Sequence, residues 1–367
     1  MKALQLLFNN FDLLLDQPDG VQQMKQTILQ WAVQGKLVRQ DPNDEPASEL
    51  LKRIALEKAE LIAQKKIKKQ KALPPTAEDE MTFDLPGSWE WVKLGEICNL
   101  ITDGTHHTPT YTRHGIPFLS VKDITSGIID FSNTRFISPE EHKKLIQRCH
   151  PEYKDVLLTK VGTTGIAKVI DVKVAFSIFV SLALLKLSQN NLCPYFLELT
   201  INSPYIKALS SKNTRGIGNK NLVLTLIKSF PFPLPPLAEQ HRIVAKVEEL
   251  HTLCDQLEEE QQQVQTRKQA LNAASLHQLS NAEDSEDFQS AWNIVSSRFE
   301  QLHDQPESVE PLRQAILQLA VRGKLVKQDP NDEPASELLK RIAEETWKIP
   351  ERPQHTIRFN QQQKENV

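Results

Sequence analysis

The apolar positions near the start of the chain recur at the spacing of a helix face. They predict a helix over Phe11–Val38, which Gly35 is placed to end. A second helix is predicted after the turn DPNDEP, with Asp44 as its N-cap and Pro46 in its first turn. The run of lysines within Lys65–Lys71 ends this second helix.

Between Trp89 and Leu234 the pattern changes to short apolar runs separated by Gly, Asn, Asp and Pro. These runs predict strands at Ile116–Val121, Asp155–Leu158, Ala167–Val174 and Ala175–Leu187, and short helices at Pro139–Gln147 and Pro194–Ser203. The segment is long enough to bury a core of its own. It is therefore predicted to be a mixed α/β domain.

The proline-rich passage Phe230–Gln240 predicts a stiff hinge, and a long helix is predicted over Leu237–Leu279. Apolar side chains recur every seven residues along this helix, which is typical of a coiled-coil seam that docks a partner helix. The predicted seam residues are Ile243, Leu250, Leu257, Val264 and Leu271.

A passage of sixteen residues, QDPNDEPASELLKRIA, occurs twice, at Gln40–Ala55 and at Gln328–Ala343. The similarity continues upstream at a constant offset of 288 residues, back to Phe11 and Phe299. Solenoid repeats have periods of about 20–50 residues, so this is a different kind of duplication. One surface presented twice suits a partner present twice or a pseudo-two-fold assembly. A recent duplication without functional meaning is the alternative.

These patterns predict an α/β fold class, with a mixed α/β domain and long coiled-coil-forming helices. The predicted segments are a helical repeat (1–75), the mixed α/β domain (85–236), a coiled-coil spacer helix (237–280), a second copy of the helical repeat (295–345) and a disordered polar tail (346–367).

Charge is distributed unevenly along a chain whose formal net charge is only −3. Asn99–Leu234 contains 16 Lys and Arg against 9 Asp and Glu, whereas Leu237–Glu310 contains 5 against 15. A basic half is suited to phosphates and an acidic half is repelled from them. A solvated acidic helix beside an average domain explains the same numbers equally well.

Cysteine spacing and hydropathy indicate the compartment. The four cysteines are widely spaced and form no CxxC motif, which argues against a disulfide framework or a zinc ribbon. The apolar runs are too short to cross a bilayer, and the N-terminus lacks a signal-peptide pattern. These features predict a cytoplasmic protein.

The chain carries no strong catalytic signature such as a Walker A loop, GxSxG or HExxH. It does carry polar loops at Leu100–Ile124, Leu158–Lys168 and Ser210–Leu222, all within the basic segment. Their hydroxyls, imidazoles and cations favour contacts to bases and phosphates. The predicted DNA-binding residues are Thr105, His106, His107, Arg113, Lys122, Lys160, Thr163, Lys168, Lys212, Arg215, Asn219 and Lys220.

Two other interpretations of the first loop stay open. Asp103, His106, His107 and His114 are of the types that bind a metal or transfer protons, although no matched helix spacing supports them. The loop is otherwise a solvated polar segment.

Several passages resemble the specificity subunits of type I restriction-modification systems. AVQGKLVRQDPNDEPASELLKRI is similar to the segment that leads into their recognition domains, and Leu85–Ile97 to the entry of such a domain. Asn213–Glu258 resembles the exit and the spacer helix that follows, where PLPPLAEQHRIV is specific in context. The resemblance extends over nearly all of Phe11–Ile342.

The resemblance implies a division of labour. Such subunits carry two target recognition domains, each reading one part of a bipartite double-stranded DNA site, held apart by helices that dock two modification subunits. The modification subunits hold S-adenosylmethionine and methylate adenine, and the restriction subunits use ATP and Mg²⁺. The chain itself is then expected to bind no cofactor or metal and to catalyse no reaction.

The chain departs from this pattern because it holds one recognition domain and its second repeat stops at Ala343. It is therefore predicted to be a half-length form that reads one half-site, as a homodimer or with a second half-specificity chain. One alternative is an inactive scaffold that docks modification subunits without directing methylation. Another, weaker alternative is an enzyme that uses His106 or His107.

Overall fold

The computed structural model describes residues 19–188, 190–213, 221–303, 306–326 and 329–346. The chain divides into an N-terminal unit, residues 1–260, and a C-terminal unit, residues 261–367. The predicted mixed α/β class with a long helix is confirmed. The start of the first predicted helix, up to residue 18, and the predicted tail from residue 347 lie outside the described residues.

The described part of the N-terminal unit contains short strands and, for the most part, short helices. Its helices are α1 (Gly20–Val33), α2 (Ala47–Ala63), α3 (Leu94–Ile97), α4 (Pro139–Leu145), α5 (Pro194–Asn202), α6 (Pro204–Asn213), α7 (Leu224–Ser229) and the first part of α8 (Leu237–Asn281). Its strands are β1 (Glu90–Lys93), β2 (Cys98–Asp103), β3 (Tyr111–Thr112), β4 (Ile116–Leu119), β5 (Arg135–Ile137), β6 (Val156–Thr159), β7 (Ala167–Val169), β8 (Ser177–Ile178), β9 (Leu182–Leu187) and β10 (Pro231–Leu234).

The strands form two four-stranded sheets and one pair. The central sheet has the order β2-β9-β6-β7 with antiparallel pairing throughout, and β6 and β9 align Val156 with Leu185. The second sheet has the order β3-β5-β4-β8, in which β4 and β8 run parallel. The remaining pair is β1 with β10.

The central sheet is buried on both faces. Along β6, Val156 and Leu158 belong to a core shared with α1, α2, α5 and the start of α8, whereas Leu157 belongs to a core shared with the second sheet. Successive side chains of a strand point to opposite faces. Double burial explains why these strands read as continuous apolar runs rather than as alternating ones.

Helices α1 and α2 pack into the same core as the mixed α/β segment. Ile28, Leu50 and Ile54 are at most 4 % exposed, and Ile243 of α8 is fully buried beside them. The buried carboxylate of Glu239 accepts hydrogen bonds from Gln40 Nε2 at 2.6 Å and Trp89 Nε1 at 3.0 Å. The N-terminal unit thus includes residues on both sides of the predicted segment boundaries at residues 75 and 236. The division into segments with separate functions stays a prediction.

Four local predictions are wrong. The predicted strand Ala167–Val174 ends at Val169, as β7. The predicted proline hinge contains strand β10, whose prolines are tolerated because it pairs on one side only, with β1. The predicted strand Ala175–Leu187 is divided by a turn into β8 and β9. Asp44 does not cap α2, because Pro46 occupies the N-cap position. Asp44 instead accepts a hydrogen bond from Arg242 Nη1 at 3.2 Å.

The described part of the C-terminal unit is helical. It contains the end of α8, then α9 (Ser285–Ser297), α10 (Phe299–Leu302), α11 (Val309–Val321) and α12 (Ala335–Thr346). Its core joins Leu276 and Leu279 of α8 with Ala291 and Val295 of α9 and with α11. Nowhere in the described part of either unit is a helix both long and apolar enough to span a membrane.

The two copies of the repeat have the same elements but opposite burial. Val33 is fully buried, whereas its counterpart Val321 is 90 % exposed. Leu50 is fully buried, and its counterpart Leu338, in the identical passage, is 49 % exposed. The face that joins the core in the first copy therefore lies on the surface in the second.

This pair of leucines offers a matched test of the fold. We expect Leu50→Ala to lower the free energy of unfolding by about 2–5 kcal/mol, because it leaves a cavity in the core. Leu338→Ala should change it by less than about 1 kcal/mol, because surface truncations rarely matter. Urea unfolding followed by tryptophan fluorescence measures both. Equal losses would contradict the assigned burial.

Candidate nucleic-acid interface

The first predicted loop leaves strand β2 at Gly104 and is bonded to strand β8. A Cβ atom at Gly104 would lie 2.0 Å from the carbonyl oxygen of Ile178, so only glycine fits. The next residue, Thr105, donates its N–H to Ile178 O at 3.1 Å and accepts from Val180 N at 3.0 Å. These bonds fix where the loop emerges from the sheet.

A buried carboxylate at the end of β2 collects three nitrogen-bearing side chains. Asp103 is 2 % exposed, and its oxygens lie 2.6 Å from Arg148 Nη2, 3.1 Å from Lys160 Nζ and 3.2 Å from His106 Nε2. We call these four residues the Asp103 cluster. The side chain of Lys160 is 6 % exposed, whereas those of Arg148 and His106 are 55 % and 61 % exposed. The carboxylate thus neutralises one buried cation and orients two exposed groups.

The next two residues of the loop are coupled to each other. Thr105 is 6 % exposed, and its hydroxyl donates to His107 O at 3.2 Å and lies 3.0 Å from His107 Nδ1. The imidazole of His107 is 72 % exposed and lies 3.8 Å from Glu141 Oε1. Together with α4 these residues line a recess of about 310 Å³. Thr105 therefore positions the imidazole rather than presenting its own hydroxyl.

A second recess contains Lys122, with Arg113 exposed in the turn between β3 and β4. Arg135 stacks its guanidinium 4.5 Å from the centre of the Tyr111 ring, and both line this recess of about 280 Å³. Lys122 lines it too, and its Nζ donates to Asn133 O at 2.8 Å. An aromatic ring held beside cations is a surface on which a base can stack.

Lys168, from the second predicted loop, lies apart from the Asp103 cluster. Lys168 is on β7, the edge of the central sheet opposite β2, and its Nζ lies 3.3 Å from Glu198 Oε1. Burial raises the pKa of Glu198, although Val169 N and Lys168 both bond to its carboxylate. Thr163 is exposed in the turn between β6 and β7.

The third predicted loop is only partly within the described residues. Arg215, Asn219 and Lys220 lie outside them, as does the side chain of Lys212. At the end of this loop, Leu222 N donates to Lys160 O at 2.7 Å. The chain therefore returns beside the end of β6, next to the Asp103 cluster.

The predicted seam changes character along α8. Ile243 is fully buried in the N-terminal core, and Leu250 packs partly buried against it. Leu257 is half-buried, whereas Val264 and Leu271 are 50 % and 38 % exposed. Only the later positions offer apolar surface to another protein.

The structure gives no support to the metal hypothesis. Asp103 is occupied by Arg148 and Lys160, and within the described ranges no three His, Cys, Asp or Glu side chains are grouped to hold an ion. All four cysteines are free and buried, and burial raises the pKa of Cys98 and of Cys149 to about 12. Such thiols carry almost no thiolate at neutral pH.

Arg148 is a candidate functional residue that the sequence did not reveal. It lies 45 positions after Asp103, between α4 and β6, without a motif or a glycine-rich context. Only the folded sheet brings its guanidinium to the first loop. Arg135 was missed for the same reason, because its partner Tyr111 is on a different strand.

The Asp103 cluster predicts a strong energetic coupling. Asp103→Asn leaves Lys160 buried without its carboxylate, so we expect a loss of about 3–5 kcal/mol in the free energy of unfolding. Adding Lys160→Met should restore part of that loss, because the unpaired buried charge is removed. A double-mutant cycle in urea gives the coupling. Strictly additive losses would show that the two side chains do not interact.

Comparison with known proteins places this site in a family. Residues 86–266 match the family described as type I restriction modification DNA specificity domain. That range contains the Asp103 cluster, both recesses and the first part of α8. Residues 86–266 therefore belong to this family of specificity domains.

Two relatives come from Escherichia coli. The chain is 38 % identical over 348 residues to the type I restriction enzyme EcoAI specificity subunit. That alignment covers 89 % of this chain and 56 % of the relative. It is 38 % identical over 341 residues to the EcoEI specificity subunit, covering 89 % and 55 %. The chain therefore spans about half the length of these relatives.

Solved structures of similar proteins superpose only in part. The HsdS subunit from Thermoanaerobacter tengcongensis gives a TM-score of 0.39 at 22 % identity, covering 69 % of this chain and 52 % of that one. The type I restriction-modification S subunit from M. genitalium gives 0.33 at 16 % identity, covering 57 % and 50 %.

Proposed function

We propose that this chain is a non-catalytic DNA-specificity subunit that reads one part of a bipartite target and docks methyltransferase subunits. The observation that carries the proposal is the Asp103 cluster, which lies inside the matched specificity domain and holds Arg148 and His106 at the surface. Donors held rigidly lose little freedom on binding, so they discriminate well between partners.

The predicted DNA-binding residues fall into two roles in this proposal. His106, His107, Arg113, Lys122 and Thr163 have exposed side chains and contact DNA directly. We assign Lys212, Arg215, Asn219 and Lys220 to the same direct role, on their sequence alone. Thr105, Lys160 and Lys168 act indirectly, because each is bonded within the protein and largely buried: Thr105 is 6 % exposed, and the side chains of Lys160 and Lys168 are 6 % and 19 % exposed. We add Arg148 and Arg135 as direct contacts. Arginine is the side chain best suited to guanine edges and to phosphates.

The partners follow from the same proposal. Modification subunits supply S-adenosylmethionine and transfer its methyl group to adenine, and restriction subunits use ATP and Mg²⁺. Support for docking on the long helix comes from Val264 and Leu271, which are apolar and exposed on α8. The exposed face of the second repeat supports a further contact, with a second specificity chain.

Arg148 gives the direct test of sequence reading. With the modification subunit co-expressed, we expect single-molecule sequencing to find adenine methylation at one gapped motif. Arg148→Ala should weaken binding to that motif by about 1–3 kcal/mol and relax its sequence at one position. Lys52→Ala, exposed on α2, is the control. Unchanged methylation and affinity in Arg148→Ala would refute the assigned role.

The form of the motif decides how many specificity chains act together. A palindromic gapped motif indicates two copies of this chain in the complex, since a two-fold assembly reads the same half-site twice. A motif with two different halves indicates a second specificity chain. A stable complex without methylation would favour the inactive scaffold.

The exposed part of α8 gives a test of docking. Val264→Glu should abolish co-purification with the modification subunit, because it puts a charge into an apolar contact, while thermal stability stays unchanged. Gln262→Glu adds the same charge on another side of the helix and should leave co-purification intact. Loss of binding in both variants would point to net charge rather than to the seam.

A further inference from the structure

We infer that a groove between the lysine-rich segment after α2 and the edge strand β2 binds the phosphate backbone of duplex DNA. The inference rests on the proposed function for its ligand and extends the interface beyond the predicted loops. The lysines of this segment were interpreted from sequence only as the end of a helix.

The groove is a cavity of about 910 Å³. Residues 66–74 form one wall, and Leu100 and Thr102 of β2 form part of the other. Among the described residues that line it there is no aspartate or glutamate. The cations that line it are Lys66, Lys68, Lys69, Lys71, Arg148 and Lys228.

The four lysines of the segment are uncompensated. Each is exposed, and none of their side chains makes an ion pair or a hydrogen bond within the described part of the chain. Other lysines of the N-terminal unit have such partners: Lys25 has Asp255, and Lys186 has Glu152 and Asp155. Clustered like charges repel one another, and a polyanion placed along them relieves that repulsion.

The lysines are held on a fixed path rather than on a free tail. Helix α2 ends at Ala63, and Lys65 turns the chain with a φ of 59°. Gln70 Nε2 then donates to Asn99 O at 3.4 Å. Leu73 packs so closely on Gly95 that a Cβ there would lie 2.9 Å from its Cδ1. A fixed row of cations loses little conformational entropy when it binds a regular array of charges.

The groove is continuous with the Asp103 cluster. Arg148 lines the groove and also the recess beside His106 and His107. Phosphate contacts fix the register of a protein on DNA, and base contacts next to them supply specificity. This continuity favours DNA over an acidic protein surface as the occupant.

The test compares two quadruple variants of the full-length chain by fluorescence anisotropy. One duplex contains the motif found by methylation mapping and the other is a scrambled duplex of equal length. The groove variant is Lys66→Gln/Lys68→Gln/Lys69→Gln/Lys71→Gln. The matched control is Lys36→Gln/Lys52→Gln/Lys173→Gln/Lys340→Gln, which removes four exposed lysines elsewhere.

We expect the groove variant to bind both duplexes at least tenfold more weakly at about 100 mM salt, by the same factor for each. The slope of log affinity against log salt should fall by about 3–4, as four lost phosphate contacts require. The control variant should keep both the affinity and the slope of the unmodified chain. Circular dichroism confirms that both variants fold.

Other outcomes separate the groove from the proposed function. Unchanged affinity and slope in the groove variant would overturn the groove and leave the proposed function intact, as would a loss confined to the motif duplex. The scrambled duplex tests the groove even if no motif exists, so a loss on it without motif preference would uphold the groove and refute sequence reading. In chemical acetylation of the chain, these lysines should be protected when DNA is bound. If the modification subunit protects them and DNA does not, the inference is also overturned.

Discussion

The central sheet requires cover on both faces, and this requirement organises the N-terminal unit. The second sheet covers one face, where Leu157 and Leu184 point. The other face is covered by helices from both sides of the recognition segment in sequence, α1 and α2 before it and α8 after it. Glu239, at the start of α8, is fully buried and joins these flanks, because its carboxylate accepts hydrogen bonds from Gln40 and from Trp89. The start of the long helix is therefore fixed rigidly to the domain that carries the candidate interface.

The same sheet makes a buried carboxylate tolerable at its edge. An isolated ionised aspartate in a protein interior is strongly unfavourable, and it is retained only when cations and hydrogen bonds surround it. Asp103 is the last residue of β2, Lys160 directly follows β6, and Arg148 lies in the segment between α4 and β6. The electrostatic requirement of one buried group thus determines where two exposed donors stand.

Local patterns predicted what depends on local interactions. The predicted helices Pro194–Ser203 and Leu237–Leu279 agree with α5 and α8 to within about two residues, as is usual for helix ends. The Asp103 cluster was not predictable, because its partners lie 45 and 57 residues away and meet only in the sheet. Lys160 and Lys168 were selected by residue type and loop position, but their ion pairs depend on tertiary packing. The proline hinge failed because long-range pairing with β1 overrode a local breaker signal.

The duplicated repeat shows how small changes redirect a helix. In α11 the residues buried against α8 and α9 are Ala315 and Leu319. Their counterparts in α1 are Thr27 and Trp31, which are two of the positions where the copies differ. A smaller side chain at each position lets α11 pack closely on a helix through a face that α1 leaves half-exposed. The face that the first copy buries in its core is then exposed to solvent in the second copy. The first copy shows what such a face packs against, which is a recognition segment and the start of a long helix.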